Sequence, residues 1–534
     1  MWSQLVYFGE LRAEKPLSAL PPKFKPVCHG ECYCPWVQFS GKSPAAHRSV
    51  SYSVSNRMMG AKRKLGMKIL VAIANYGRKN DGYLQQLLTA YRAIPYEVHL
   101  AVLTNLSKDL GPDVEVIVGL PGKDPWSLPF AHKKLFAERQ DDFDLFIYSE
   151  DDTPLLKENI DAFLHATSLL PENEIAGFLR YEKDEQGKRY FSTVHSHFHW
   201  DPSSVHRCGG ETFAYFTNEH AACFALTSGQ LKKAIQSGGF LVEPHSGRYD
   251  LLCSAATDPY TQCGFRKMIC ISRLNDFVIP HLPNKYIGKM GLPEELMTVQ
   301  VLKLLQPETI RQEVGFGFPL STKLPQAMWS KSYYEPASKA LLDLVPGSAR
   351  RILSIGSGSG ELESVLVDGG KQVSALPLDD VIGECTKSRG VEVIGTNFSH
   401  LVSSLGDTRF DCVVASNVLH LVPDPAAFLK VLSNLVAKDG SVIVRVPNTE
   451  KFSARMLRWR QGNGHRNLGD FGKAGVQKTG PARLRRWLQE AGLRVATLRT
   501  ISSERMDLPR KLTLGLADGL LGTELLALAK ISRT

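Results

Sequence analysis

Short apolar runs alternate with helix-length amphipathic segments in this chain, and this alternation constrains its fold more than any other feature. Between Met67 and Asp152 the segments read MKILVAIANY, GYLQQLLTAYRAI, YEVHLAVLTN, DVEVIVGL, AHKKLFAERQ and DLFIYSEDD. Runs that are apolar at consecutive positions are typical of strands buried on both faces, as in parallel sheets covered by helices. The pattern therefore predicts an α/β fold with a largely parallel sheet.

The chain is long enough for more than one domain, since 534 residues exceed what a single core usually organises. Residues 1–66 are rich in Pro, Ser, Lys and Arg, so we expect a poorly ordered basic extension, with Met67 as a candidate true start. Residues 67–291 form the predicted first α/β domain. We expect a helical connector and linker over residues 292–328 and a second α/β domain over residues 329–534.

Charge and cysteine usage narrow the class of protein. The formal net charge of +10 is spread along the chain, which suits anionic ligands such as nucleotide-sugars, or an anionic membrane surface, but does not indicate nucleic acid. The ten cysteines are scattered, several of them within apolar runs, as in reduced proteins. Neither a signal peptide nor a membrane-spanning segment is indicated. We therefore expect a cytoplasmic protein whose only membrane contact would be peripheral.

Three consecutive carboxylates, Glu150, Asp151 and Asp152, follow the apolar run DLFIYS. Ligands of open α/β sheets bind beyond the carboxyl ends of the strands, and adjacent carboxylates repel one another unless a cation or hydrogen-bond donors offset them. Mn²⁺ or Mg²⁺ at this position would neutralise the charge of a departing nucleoside diphosphate. Helix capping is the alternative, since Thr153 and Pro154 suit a helix start and acids are favoured there.

The acidic motif and its α/β context resemble the GT-A fold of nucleotide-sugar glycosyltransferases. The resemblance implies a mixed sheet with flanking helices, a nucleotide-sugar donor, and a glycan or glycolipid acceptor. It also implies that Asp152 binds the metal ion, while Glu150 and Asp151 contact the ribose or reach the metal through water.

The same resemblance draws further residues into the site. Asn75 and Tyr76, directly after the first strand, would line the nucleotide pocket, and His281 in DFVIPHLPN is the candidate for a late metal ligand. A catalytic base, needed if the enzyme inverts configuration, would be a carboxylate near the acceptor. Asp258 in AATDPYTQCG and Glu219 in FTNEHAACFAL are the candidates, although an Asp-Pro turn explains Asp258 equally well.

His195, His197 and His199 alternate in VHSHFHW, so they would share one face if this segment is a strand. Three histidines in that arrangement could bind a transition metal or a phosphate. Exposed strand histidines are the commoner explanation, because no carboxylate or cysteine stands at a suitable spacing.

In the second domain, RRILSIGSGSGELESVL joins an apolar run to a helical one through glycines 356, 358 and 360. Such glycines let the chain turn tightly and bring backbone N–H groups close to a ligand at a helix N-terminus. Three glycines alone are weak evidence. The following elements, KQVSALPL, VEVIGTNF, RFDCVVAS, PDPAAFLKVLSNL, GSVIVRV, LRVATLRTI and TELLALAKI, closely resemble class I S-adenosylmethionine-dependent methyltransferases through nearly all of the second domain.

This second resemblance implies a Rossmann-like seven-stranded sheet and S-adenosylmethionine as cofactor. The adenine pocket maps to Asn397 and Phe398, and Ser416 and Asn417 would lie beside the cofactor. WSKSYYEPASKALLDLVP resembles the family's N-terminal lid helix. The loop residues that would pack against the methionine portion are Gly356, Ser357, Gly358 and Gly360.

Two positions depart from the methyltransferase pattern. Ser354 stands where the family usually has an acid before the glycine loop, and Pro377 stands where an acid would hold the ribose hydroxyls. Asp379, on the same strand face, is the predicted replacement, with Asp380 as the second choice.

Together the two domains predict a bifunctional glycan-modifying enzyme of polysaccharide biosynthesis, combining metal-dependent glycosyl transfer with O-methyl transfer. Two other hypotheses stay open. In one, only the methyltransferase is active and the first domain binds a sugar or nucleotide. In the other, the second domain is a non-catalytic cofactor-binding or scaffold module.

Overall fold

The computed structural model describes residues 66–288, 290–306, 316–450, 467–501 and 522–532. The extension predicted over residues 1–66 and the candidate start at Met67 therefore concern a segment that lies, up to residue 65, outside the described residues. All described residues belong to one compact unit, which spans Met59–Thr534. Below, the first part means the described residues up to 306, and the second part means those from 316 onward.

The first part begins with a five-stranded sheet that carries the predicted alternation. The strand order is β10-β4-β1-β2-β3, in which β1 to β4 are parallel and β10 is antiparallel to β4. The first six predicted segments are confirmed in order and type as β1 (Lys68–Asn75), α1 (Asp81–Arg92), β2 (Glu97–Thr104), β3 (Val114–Val118), α2 (Ala131–Glu138) and β4 (Leu145–Glu150). Helix α3 (Lys157–Thr167) and strand β10 (Cys223–Thr227) complete this layer.

Two smaller four-stranded sheets follow. One has the order β5-β11-β9-β8, with β5 (Glu174–Ala176), β8 (Trp200–Cys208), β9 (Glu211–Phe216) and β11 (Arg266–Cys270). The other has the order β12-β6-β7-β13, with β6 (Leu179–Lys183), β7 (Arg189–Ser192), β12 (Val278–Pro280) and β13 (Gly291–Pro293). The accompanying helices are α4 (Ser228–Gln236), α5 (Leu251–Thr261) and α6 (Glu294–Leu304).

Two expectations about this region are wrong. The segment VHSHFHW is not a strand: His195 and His197 lie in a turn, and β8 begins only at Trp200. Asp258 is not in a turn either, because Asp258 and Pro259 both lie within helix α5. Pro259 lies in the last turn of that helix, where it removes one i→i−4 hydrogen bond.

The second part contains the expected seven-stranded sheet, in the order β16-β15-β14-β17-β18-β20-β19. Only β20 runs antiparallel to its neighbours. Its strands are β14 (Arg351–Ser357), β15 (Gln372–Pro377), β16 (Glu392–Val393), β17 (Phe410–Ser416), β18 (Val436–Pro447), β19 (Leu493–Ile501) and β20 (Glu524–Ile531). The helices are α7 (Lys339–Leu342), α8 (Glu361–Asp368), α9 (Asp380–Ser388), α10 (Phe398–Leu405), α11 (Pro425–Asn434), α12 (Phe471–Ala474) and α13 (Pro481–Glu490).

The lid helix expected over WSKSYYEPASKALLDLVP is wrong for most of its length, since only α7 is helical. Pro336 disfavours the helical conformation at Glu335, the residue before it. The backbone of Tyr333 also has partners outside any helix: its amide donates to the Ser196 carbonyl, and its carbonyl accepts from the Ser359 amide, both at 2.8 Å.

Helix α6 packs the first part against the second. On α6, Gln300 Nε2 donates to the sulfur of Cys385 on α9 at 3.1 Å, and that thiol donates to the Leu296 carbonyl at 3.3 Å. One hydrophobic cluster accordingly runs from Ile69 on β1 to Leu353 on β14. Among the helices that the structure describes, none has the length and apolar character needed to cross a bilayer.

Replacing Leu304 with Ala will test this packing. Leu304 is 0% exposed, so its truncation should lower the free energy of unfolding by about 2–5 kcal/mol through lost burial and a residual cavity. Leu302→Ala on the same helix is the control, because Leu302 is 56% exposed. Urea denaturation measures both variants, and equal losses would contradict the packing described.

Candidate functional site

The ends of β4 and β12 bring Asp152 and His281 together. Because β4 ends at Glu150 and β12 at Pro280, both residues lie just beyond the carboxyl ends of strands. Asp152 Oδ2 lies 3.6 Å from His281 Nε2, and the Leu282 amide donates to the Asp152 carbonyl at 3.0 Å. The two residues assigned to the metal from sequence are therefore neighbours in space.

Glu182 on β6 holds His281 from the other side, and sequence reasoning missed it. Its carboxylate accepts from His281 Nδ1 at 2.5 Å and from the Tyr286 amide at 2.7 Å. Burial opposes a charge on His281, but hydrogen bonds to Asp152 and Glu182 outweigh it and raise the pKa of the imidazole. No local pattern marks Glu182, since its partners come from a distant loop.

Asp151 is held by two asparagines. Asn75 Nδ2 donates to Asp151 Oδ2 at 2.6 Å, and Asn80 Nδ2 donates to Asp151 Oδ1 at 2.8 Å. Burial raises the pKa of Asp151 to about 7, with the nearby charge of Asp152 adding to the effect. Tyr76, next to Asn75, is exposed. Asn75, predicted to line the nucleotide pocket, thus contacts Asp151 of the acidic motif. Asn80 is a second partner of Asp151, which the sequence analysis did not identify.

Glu150 faces a different neighbour. Its Oε1 lies 3.8 Å from His220 Nε2, and neither atom has a hydrogen-bond partner among the described residues. Burial raises the pKa of Glu150 to about 7, and repulsion from Asp152 contributes. The three adjacent carboxylates therefore have three separate surroundings, which helix capping alone does not explain.

The two carboxylates proposed as catalytic bases are both occupied by protein partners. Asp258 is fully buried and forms ion pairs with Lys133 and His245. Glu219 accepts from the Tyr249 hydroxyl at 2.6 Å and pairs with Arg248 at 3.1 Å. In this conformation neither carboxylate is presented to an acceptor molecule.

The glycine loop after β14 packs against the chain itself. A Cβ at Gly358 would collide with the carbonyl oxygen of Tyr333, and a Cβ at Gly356, whose φ is +74°, would collide with Val418. The hydroxyls of Ser357 and Ser359 are buried with no hydrogen-bond partner among the described residues. The loop therefore needs glycine for close backbone approach, and it keeps two polar groups unsatisfied.

Asp379, the predicted ribose-binding acid, lies just after β15 at the N-terminus of α9. Its Oδ1 accepts from the Ile382 amide at 2.8 Å and lies 3.6 Å from Nε2 of His199, a first-part residue. The imidazole of His199 stacks on Tyr333 at 4.4 Å between ring centroids. Asp380 begins α9 itself.

Asp379 opens onto a cleft of about 990 Å³ that both parts line. The first part contributes His197, Thr217 and Arg248, among others. The second part contributes Asp379, Leu378, Tyr333, Phe316 and Lys323, among others.

The residues assigned to the adenine pocket lie beside this cleft. Asn397 caps α10 by accepting from the Ser399 amide at 2.9 Å. The ring of Phe398 stacks on Phe428 at 4.5 Å and on the cleft residue Phe316 at 6.2 Å. Phe398, which was predicted to line the adenine pocket, is thus packed against two other aromatic rings near the cleft.

Ser416 and Asn417 belong to a buried charged cluster that was not foreseen. Lys331 Nζ donates to the Ser416 carbonyl at 2.9 Å and pairs with Glu335. Asn417 Nδ2 and Arg445 Nη1 donate to Glu335 Oε1 at 2.5 Å and 2.9 Å. Burial opposes ionisation of Glu335, but the charges of Lys331 and Arg445 outweigh it and lower its pKa.

Ser354, which replaces the usual acid before the loop, has an acid as its partner. Its hydroxyl donates to Glu363 Oε1 on α8 at 2.6 Å, and burial raises the pKa of Glu363. A carboxyl group therefore stands next to this position, supplied by the following helix rather than by the strand.

These residues fit part of S-adenosylmethionine. A carboxylate at the edge of an aromatic-lined cleft suits a ribose and an adenine, and Ser357 and Ser359 offer free hydroxyls nearby. The Tyr333 carbonyl, by contrast, already covers Gly358 on the side expected to meet the methionine portion.

Comparison with known proteins identifies the second part. Residues 328–498 match the family model described as a methyltransferase domain. An uncharacterized methyltransferase of Staphylococcus carnosus is 26% identical over 136 residues, which are 24% of this chain and 64% of that protein. A ubiquinone biosynthesis O-methyltransferase of Xylella fastidiosa is 26% identical over 166 residues, 28% of this chain and 63% of that protein. The chain thus spans a little under two thirds of the length of these relatives.

Solved structures with a similar fold include a SAM-dependent methyltransferase from Thermotoga maritima described as a possible histamine N-methyltransferase. It has a TM-score of 0.27 and 19% identity, covering 36% of this chain and 86% of that chain. An S-adenosylmethionine-dependent methyltransferase from Mesorhizobium loti has a TM-score of 0.28 and 17% identity, covering 36% and 95%.

The second part is thus similar to methyltransferase domains, in its match to the family model over residues 328–498 and in the order of its sheet. This similarity supports the methyltransferase part of the prediction.

Replacing Glu335 with Gln will test the charged cluster. The change leaves Lys331 without its buried counter-charge, whereas Arg445 keeps its pair with Glu524, so we expect a loss of about 3 kcal/mol in the free energy of unfolding at pH 7. Since folding lowers the pKa of Glu335, its carboxylate stabilises above the ordinary value of 4.5, and this contribution is lost as the pH falls through the folded value.

Urea denaturation over a pH series measures both proteins, and the gap between them should shrink below pH 4.5. Glu138→Gln is the control, because that side chain is 60% exposed and its pair with Lys134 should contribute less than about 1 kcal/mol. A gap that is independent of pH would contradict the assignment.

Proposed function

We propose that this protein transfers a methyl group from S-adenosylmethionine to an oxygen atom of its acceptor. The observation that carries the proposal is the placement of Asp379 beside the glycine loop, at the edge of a large cleft within a domain that matches methyltransferases. The O-methyltransferases among its relatives favour oxygen as the methylated atom.

When bound, S-adenosylmethionine supplies an electrophilic methyl group. Asp379 would accept hydrogen bonds from the ribose, and Phe316 with Phe398 would bound the adenine. Arg248 from the first part and Lys323 from the second, which both line the cleft, would orient an acceptor that carries negative charge. Holding the acceptor oxygen in line with the methyl group supplies most of what this reaction needs.

Calorimetry with S-adenosylmethionine tests this assignment. Asp379→Asn keeps a helix-capping side chain but removes the carboxylate, so we expect affinity to fall about 10- to 100-fold, the value of a hydrogen bond to a charged group. Asp380→Asn is the matched control at the adjacent position and should bind as the unchanged protein does. Absence of binding by the unchanged protein, or equal binding by Asp379→Asn, would refute the proposal.

A second activity, metal-dependent glycosyl transfer from a nucleotide-sugar, is favoured by the 3.6 Å approach of Asp152 and His281 beyond the ends of two strands. A carboxylate and an imidazole are two ligands for Mn²⁺ or Mg²⁺, and the donor's diphosphate would supply others. We infer a glycan or glycolipid acceptor that is both extended and O-methylated, since both parts line one cleft.

Hydrolysis of nucleotide-sugars in the presence of Mn²⁺ tests the second activity. Asp152→Asn should lose the metal-dependent rate by more than about a hundredfold, because a metal contributes several kcal/mol to charge stabilisation. Asp142→Asn is the control, since Asp142 is exposed and precedes β4. If both variants hydrolyse equally, or if the rate does not depend on Mn²⁺, the first part does not transfer glycosyl groups in this way.

A further inference from the structure

Two histidines and a cysteine from three separate elements meet beside the acidic motif. His195 comes from the turn before β8, His220 from the loop before β10, and Cys253 from the first turn of α5. Their ligand atoms all lie within 4.8 Å of one another, which is true of no other group of three His, Cys, Asp or Glu side chains in the described part of the chain. Of the three alternating histidines in VHSHFHW, only His195 belongs to this cluster. His197 and His199 lie elsewhere, because the segment forms a turn and not a strand.

The distances suit a tetrahedral zinc ion. Cys253 Sγ lies 3.9 Å from His195 Nε2, and His220 Nε2 lies 3.8 Å from Glu150 Oε1. Zn–S and Zn–N bonds of about 2.3 Å and 2.1 Å place sulfur and nitrogen ligands roughly 3.6 Å apart. Cys253 and His195 would need to approach by only a few tenths of an ångström to reach this spacing, and the other ligand atoms of the cluster lie within 4.8 Å of one another.

Unsatisfied atoms point into the cluster. His220 Nε2 and Glu150 Oε1 both lack a hydrogen-bond partner among the described residues, although the His220 side chain is only 6% exposed. A buried acceptor facing a buried carboxylate is costly unless a cation lies between them.

A small cavity lies next to the cluster, on a side that His195 and His220 line but Cys253 does not. A cavity of about 20 Å³ borders His195 and His220, which is room for about one atom or water. Arg180 also lines this cavity, and its positive charge opposes a second cation. The negative charges of the Cys253 thiolate and the Glu150 carboxylate would offset the positive charges of Arg180 and of the metal ion. The Cys253 thiol would lose its proton when the metal binds.

We propose that His195, His220 and Cys253 are the three protein ligands of one Zn²⁺ ion, with the Glu150 carboxylate next to the site. Thiolate and imidazole favour Zn²⁺ over the harder Mn²⁺ and Mg²⁺, so this site is distinct in chemistry from Asp152 and His281. The ion would link α5 to the turn before β8 and to the loop before β10. The proposal does not depend on glycosyl transfer.

Titration of the metal-stripped full chain with Co²⁺, followed by Zn²⁺, tests the site. Cobalt bound to thiolate absorbs in the near ultraviolet, so we expect one equivalent of this absorption, which Zn²⁺ then abolishes. Cys253→Ser should lose the absorption, while Cys412→Ser, a buried cysteine on β17, should keep it. His220→Gln should weaken binding more than about a hundredfold, because even outer partners of metal sites are worth about 10- to 100-fold.

Two further variants exclude other origins of the signal. Cys28→Ser, Cys32→Ser and Cys34→Ser together remove the other cysteine-rich segment, CHGECYC, and Asp152→Asn removes the proposed Mn²⁺ ligand. Both should keep the absorption. Circular dichroism establishes whether each variant is folded. If Cys253→Ser is not folded, His195→Gln takes its place and should weaken metal binding. The proposal is overturned if the folded protein shows no thiolate absorption, or if that absorption depends on Cys28, Cys32 and Cys34 instead.

Discussion

The backbone of Tyr333 is the link on which the arrangement of the two parts depends. Its amide donates to Ser196 in the first part, and its carbonyl accepts from Ser359 in the glycine loop. The ring stacks on His199, whose Nε2 in turn lies near Asp379. These contacts place first-part side chains on the wall of the cleft beside Asp379, so the methyltransferase domain does not form its candidate site alone.

The acidic motif shows how neighbouring like charges are separated by different partners. Asp152 pairs with His281, Asp151 accepts from two asparagines, and Glu150 faces His220 without a hydrogen bond. Burial and repulsion raise the pKa of Glu150 and Asp151 to about 7, whereas the charge on His281 helps to lower that of Asp152. Only one carboxylate of the motif is therefore firmly ionised at neutral pH.

Features encoded by short-range pattern could be predicted from the sequence. Both α/β alternations were predicted from consecutive apolar residues, and the pairing of Asp152 with His281 was expected from the resemblance to the GT-A fold. Glu182 and Glu335 could not be found this way, because their partners lie on distant segments. The lid helix failed because the contacts of Tyr333 and the effect of Pro336 outweigh helical periodicity.

The contact between Gly358 and the Tyr333 carbonyl links the shape of the glycine loop to the position of the first part. Any side chain at position 358 would push residues 332–333 away from the loop, and this would also strain their bond to Ser196. A glycine at position 358 therefore allows both the tight loop and the close approach of residues 332–333 from which the bond to Ser196 is made. This contact requires a glycine at position 358 whether or not the domain binds a cofactor. The glycine alone is therefore not a sign of methyltransferase activity in this chain.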